Sequence, residues 1–312
     1  MATDDERATA LLNELKVSTD LDVKKRNLRE VSELVLHKNP SLLPRYFEHI
    51  LELQLEHSAD IKKAVVLFLK EVCLMDSSYL HPTWETLGAL LDDESALVVK
   101  DSIATAVALV RPSIHYISTA SNPSGALGTW KEISAFLGEV VGLLDKHQNQ
   151  GVLSTAFKGL ETMAIAFAEA EPLRPDHPVL PNQPDLFRQQ ALRCMEALVE
   201  RVAFLKSYVS AGVVLASLGV LAVHRSGIFT ERIVGVLLQI KDQPPPVPPQ
   251  QRPSVLSALK QSVKAILNGA VGLDLPRAAT PPAWVGAGGG LGASAASAPV
   301  VLSLSQKIQQ CG

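Results

Sequence analysis

Three segments of this chain carry one helical pattern at nearly constant spacing. In Asp60–Val72 the apolar residues Ile61, Ala64, Val65, Phe68, Leu69 and Val72 follow steps of three and one, which places them on one stripe of an α-helix. Asp22-Val23-Lys24-Lys25 precedes a helix bearing Leu28, Val31 and Val35, and Val98-Val99-Lys100-Asp101 opens one bearing Ile103, Ala106, Val107 and Val110. Val23, Ile61 and Val98 align at spacings of 38 and 37 residues. A helical unit repeated at that length predicts an all-α solenoid, in which each unit buries its apolar face against its neighbours alone.

The lysines of these units need an explanation. A helix N-terminus carries partial positive charge and favours anions, so Asp60 suits a capping role while Lys62 and Lys63 in the first turn do not. Lys24, Lys25, Lys62, Lys63 and Lys100 occupy matching places in successive units. Two readings stay open: a ladder of Lys–Asp contacts between neighbours, with Asp22 and Asp60 as partners, or a positive strip that attracts an acidic partner. Lys158, a turn into the helix after Gly151, extends such a strip.

The same periodicity predicts about twelve helices in roughly six antiparallel pairs and no strand. The first covers Glu6–Val17 and the second Val23–His37; Phe47, Ile50, Leu51 and Gln54 lie on the next, before Asp60–Met75. A shorter helix starts at His81-Pro82 and ends at Asp92-Asp93-Glu94, read as a solvated loop cluster. The Val98–Val110 helix should stop at Arg111-Pro112, and residues Ser121–Gly128 read as an irregular insertion. Two periodic helices follow, one with Trp130 to Leu144, the other with Leu153 to Phe167. Pro172, Pro175, Pro178, Pro181 and Pro184 recur every third residue, a spacing that favours extended polyproline-II backbone, either as a stiff connector or as a segment for an aromatic groove. Helices resume at Asp185, with Phe187, Ala191, Cys194, Leu198, Val202 and Leu205 on one face. A proline-rich loop, Gln243–Pro253, precedes a last helix through Val255, Leu259 and Ser262. The expected organisation is therefore one solenoid over 1–275, with proline-rich connectors near 170–184 and 243–253, and a Gly/Ala/Pro-rich tail over 276–312 whose composition predicts disorder.

Signatures of catalysis are missing. The chain contains no GxxxxGK[ST], HExxH, GxSxG or EF-hand pattern. Gly288 to Ala293 fits GxGxxA, but without the preceding strand and following helix that aim N–H groups at a pyrophosphate. His49 and His57 lack a third ligand, and Cys73, Cys194 and Cys311 are far apart, so neither a metal site nor another cofactor is expected. The widely spaced cysteines and the acidic, polar N-terminus without a secretory apolar region suit a reduced intracellular setting. A net charge of −3 argues against a dedicated nucleic-acid binder, leaving direct RNA contact as a weak, salt-dependent possibility through the lysine strip. The uncharged run Ser207–Val223 is shorter than the roughly 20 residues of a membrane span, so it reads as a buried helix and no membrane is expected.

Several stretches resemble the N-terminal domain of the symplekin family of pre-mRNA 3′-end processing scaffolds. They are HKNPSLLPRYFEHILELQLEHSADIKKAVVLFLKEVC, LLDDESALVVKDSI, LLDKHQNQGVLSTAFKGLE, RPDHPVL, SLGVLAVHRSGIF and SVLSALKQSVKAIL. They occur in the family's order over roughly residues 5 to 270. The resemblance implies an arc of HEAT-type (armadillo-like) helix pairs forming a right-handed superhelical solenoid. It further implies a nuclear, non-enzymatic scaffold whose partners are cleavage and polyadenylation factor subunits and a phosphatase of the RNA polymerase II C-terminal domain, held on the concave face.

A family lysine at the phosphatase contact matches Lys158, and Lys100, Lys62 and Lys63 are the other expected partner-binding residues. A second contact position, asparagine in the family, is Ala258 here, which puts the detail of docking in question. Lys158→Glu is expected to weaken phosphatase binding without lowering the melting temperature. The family protein is far longer, so the chain is expected to be a fragment or a truncated product. The alternative function is a generic HEAT-repeat adaptor for intracellular transport or trafficking, which would bind linear peptide signals.

Overall fold

The computed structural model describes residues 3–119, 122–178, 180–202, 208–224, 227–242 and 247–272. Among them are twelve α-helices and no strand. In chain order these are α1 (Asp4–Val17), α2 (Leu21–Glu33), α3 (Leu43–Leu51), α4 (Ala59–Met75), α5 (Leu80–Ala89) and α6 (Ala96–Thr119). There follow α7 (Pro123–Lys146), α8 (Gln150–Ala168), α9 (Leu186–Val202), α10 (Tyr208–Ala222), α11 (Thr230–Asp242) and α12 (Arg252–Gly272). The fold divides into two compact units at Cys194/Met195, within α9.

In the first unit the predicted stripes face inward. Ile61, Val65, Phe68, Leu69 and Val72 of α4 are buried, as are Val98, Ile103, Ala106 and Val110 of α6. Helix α2 packs on α4, α4 on α6, and α6 on α8, while α5 packs on α7. Polar contacts give the direction of this packing. Asp5 of α1 pairs with Arg45 of α3, and Lys16 at the far end of α1 pairs with Glu52 just past α3, so these two helices run parallel. Helices α6 and α8 also run parallel: a side chain at Gly159 would meet Ile103 and Val107, and Arg111 pairs with Glu169 farther along both. In both of these cases the alternate helices run in the same sense.

Local chemistry sets several helix starts. Thr3 and Glu6 form a reciprocal capping box on α1, which begins two residues before the expected Glu6. Asp20 caps α2 and Asn149 caps α8, each accepting two backbone N–H bonds. Asp60 does not cap α4. The N-cap is Ser58, and Asp60 sits inside the first turn with its carboxylate on Lys25. Helix α2 ends at Glu33 rather than His37 and passes into a π-helical turn over Leu34–Lys38, which lets three consecutive residues, Leu34, Val35 and Leu36, all be buried.

Three expected breaks do not occur. Pro112 does not end α6, which runs on to Thr119. Its ring removes one backbone donor, but the next turn is anchored: the Ser113 hydroxyl donates to the Leu109 carbonyl at 2.7 Å and accepts from the buried Trp84 indole at 2.9 Å. Residues 123–128 are not an irregular insertion but the first turns of α7, with Pro123 at its start and Asn122 accepting the Gly125 N–H. Helix α12 begins at Arg252, so Pro253 lies in its first turn rather than in the preceding loop, where the missing N–H costs nothing.

The proline link does not extend as polyproline II. It doubles back, with the Leu173 N–H donating to the Pro184 carbonyl and the Asn182 N–H to the Pro175 carbonyl. Asn182 takes the left-handed conformation, φ 59°, that the reversal needs. Leu173, His177 and Leu180 are buried, and His177 Nε2 lies 3.0 Å from the Ile117 carbonyl of α6. Burial of these side chains, not proline stiffness, decides the path.

In the second unit α12 packs along α10, and α11 contacts both. Helix α10 has Ala211, Val214, Leu215, Leu218, Leu221 and Ala222 buried, which accounts for its uncharged sequence. It is 15 residues long, and among the described residues no helix is long and apolar enough to cross a membrane. Leu205, the tail over 276–312 and Cys311 lie outside the described residues.

Candidate partner-binding surface

Parallel stacking brings the first-turn lysines of one helix beside carboxylates of the next unit. Lys24 of α2 pairs with Glu56 at 2.8 Å and Lys25 with Asp60 at 2.5 Å. Lys62 of α4 pairs with Asp93 at 2.5 Å, and Lys63 with Asp101 at 3.7 Å. The acids therefore come from the following unit, and Asp22 is not a rung. A lysine at a helix N-terminus is tolerated here because its ammonium reaches across to the neighbour's anion. The Lys25–Asp60 hydrogen bond raises the Lys25 pKa and, from the other side, lowers that of Asp60.

The rungs differ in enclosure. Lys62 and Asp93 keep only 18% and 8% side-chain exposure, so Asp93 is not part of a solvated cluster. Its other oxygen accepts the Ser95 N–H at 2.8 Å, which ties the loop before α6 to the same carboxylate. Lys25 and Lys63 are more open. Lys100 has no ion pair among the described residues. The next helix offers Gly151 where the ladder would need an acid, and a β-carbon there would lie 3.9 Å from Lys100 Nζ.

Lys158 stands on the outward side of α8 with half its side chain exposed. Its Nζ donates to Glu161 Oε2 at 2.6 Å, one turn on, and Glu161 is nearly buried at 11% exposure. Counting six residues from the partly buried Val23 and the buried Ile61, Val98 and Val152 puts Arg29, Leu67, Ala104 and Lys158 at one register position of α2, α4, α6 and α8. Lys25, Lys63 and Lys100 share another. Of the four lysines expected to bind a partner, Lys158 is exposed, Lys63 and Lys100 are partly exposed, and Lys62 is enclosed with Asp93.

The inward-stripe reading missed the outward leucines of α4. Leu67 and Leu74 are 56% and 57% exposed. They are seven residues apart and off the apolar stripe, which is the signal that would have found them. Ala258 belongs to the second unit, where it lines a cleft of about 230 Å³ between α10 and α12 together with Gly212, Gly219 and Ser262. The Ser262 hydroxyl donates to the Leu215 carbonyl at 2.8 Å, and a β-carbon on Gly219 would meet Ser262 at 3.2 Å, so close approach of the two helices shapes the cleft.

The thiols of Cys73 and Cys194 are buried, and burial pushes both up to about 12; Cys73 donates to the Thr83 hydroxyl. Neither has the accessible thiolate of a nucleophile. Among the described residues no three His, Cys, Asp or Glu side chains converge as metal ligands would.

No known protein-family profile matches the chain. Among solved structures, it is similar to the crystal structure of an engineered protein from the Northeast Structural Genomics Consortium. The two share 16% identity over 84% of this chain and 97% of that chain, with a TM-score of 0.42.

Proposed function

We propose that this chain is a non-enzymatic scaffold of the nuclear mRNA 3′-end cleavage and polyadenylation machinery. In this reading it is a right-handed superhelical solenoid of HEAT-like pairs that holds an RNA polymerase II C-terminal-domain phosphatase on its concave face and cleavage and polyadenylation subunits nearby. The observation that carries it is the row α2, α4, α6, α8. Its neighbouring helices carry the exposed residues Arg29, Leu67, Ala104 and Lys158 at one register position, which is what a spread-out partner surface needs. The ordered sequence resemblance to the symplekin family supports the same assignment.

The test must respect the Lys158–Glu161 bond. Lys158→Glu would set two carboxylates side by side, one of them nearly buried, and lower the melting temperature whatever the partner does. The expectation of an unchanged melting temperature is therefore replaced. Lys158→Met combined with Glu161→Gln removes both charges together. In a pull-down titration with a purified C-terminal-domain phosphatase, this double variant should bind at least tenfold more weakly while melting within a few degrees of the parent. Equal affinity for parent and variant would remove Lys158 from the contact; failure of the parent to bind would remove the phosphatase.

A further inference from the structure

We infer that the outward face of α4, with α6 beside it, is a docking surface for an acidic amphipathic helix of a partner protein. This rests on the reading of the outward row as a partner surface and adds the chemistry of the segment that α4 and α6 would take; the phosphatase titration above tests the row's partner, and the peptide titration below tests this segment separately. The apolar component is specific. Leu67 and Leu74 are each more than half exposed and lie on one face of α4, about 10 Å apart along the helix axis. The Lys63–Asp101 pair fixes α6 alongside. Beyond that pair α6 places the small, exposed Ala104 at the register position of Leu67, and Arg111, held by Glu169, at that of Leu74. A second helix can lay leucines of its own against Leu67 and Leu74.

Charge selects the occupant. The ladder pairs neutralise Lys25, Lys63 and their partners. Among the described residues, α2, α4 and α6 then keep Arg26, Arg29, Lys70 and Lys100 without ion pairs, against Asp22 and Glu71. An apolar centre flanked by surplus cations matches a helix with a leucine stripe bordered by Asp or Glu. RNA would use the cations and leave the leucines in water, so it fits less well.

The whole 312-residue chain is titrated, by fluorescence anisotropy, with a labelled 18-residue helical peptide. The peptide carries leucines at i, i+4, i+7 and i+11, glutamates on the flanks and alanine elsewhere. A second peptide has lysine for every glutamate, and a uridine oligonucleotide is the third probe. The acidic peptide should bind at least tenfold tighter than the basic one, weaken with salt, and protect residues 63–75 from hydrogen exchange. Leu67→Asp/Leu74→Asp and, separately, Lys70→Glu/Lys100→Glu should each reduce binding at least tenfold, with unchanged circular dichroism. Equal binding of the two peptides, insensitivity to the leucine pair, or preferential binding of the oligonucleotide overturns the proposal. So does a concentration-dependent dimer, seen by sedimentation, that the leucine substitutions dissolve.

Discussion

The ammonium of Lys62 lies 2.5 Å from Oδ2 of Asp93, in the most enclosed rung of the ladder that joins successive helices of the first unit. Two charges withdrawn from water depend on each other: removing one leaves the other desolvated and unpaired. Lys62→Met should therefore cost about 3 kcal/mol in urea unfolding, whereas Lys63→Met, at a longer and more open contact, should cost under about 1 kcal/mol. Adding Asp93→Asn to Lys62→Met should recover much of the loss. Equal effects at the two lysines would mean that enclosure does not govern the ladder.

The Trp84 indole and the Ser113 hydroxyl hold the turn that follows Pro112. Ser113→Ala leaves a buried N–H without an acceptor and should destabilise by about 1–3 kcal/mol. Trp84→Phe removes the donor as well. The double variant should therefore cost less than the two single changes summed, and a thermodynamic cycle measures that coupling. Additive effects would show that the hydrogen bond contributes little to keeping α6 continuous.

Glu139 of α7 has its carboxyl pKa raised, first by burial and then by the nearby charges of Asp92 and Glu132. A carboxyl with a raised folded-state pKa binds its proton more tightly folded than unfolded, so ionising it costs stability. The cost is absent at low pH, grows as pH rises above the ordinary value of 4.5, and is complete above the folded-state pKa. Glu139→Gln should melt higher than the parent at neutral pH, and the two melting curves should converge toward pH 4. A gain that persists at pH 4 would point to a contact of the amide instead of relief of charge.

Much of the helical layout was legible because an apolar side chain on a helix has few places to go. Val65, Phe68, Leu69 and Val72 are buried as their spacing requires, and so are Val214, Leu218 and Leu221. The lysine repeat left a ladder and a positive strip both open; the ladder's partners at Glu56, Asp93 and Asp101 were not legible, because sequence distance alone does not say which acid a neighbouring helix brings alongside. Lys158 was legible as a position; its hold on Glu161 was not, because i,i+3 partners are common and only burial of Glu161 makes this one matter.

The amino-acid order by itself determined the helical period, and with it which side chains must leave water. Tertiary structure alone decided where proline could be overruled, as at Pro112, how the link over 172–184 turns back on His177, and which charges are enclosed, as at Asp93, or lack an ion pair among the described residues, as at Lys100. The reason is one of range: helical periodicity is set by neighbours three and four residues away, whereas the fate of a donor, a charge or a broken turn is set by whichever distant segment packs against it.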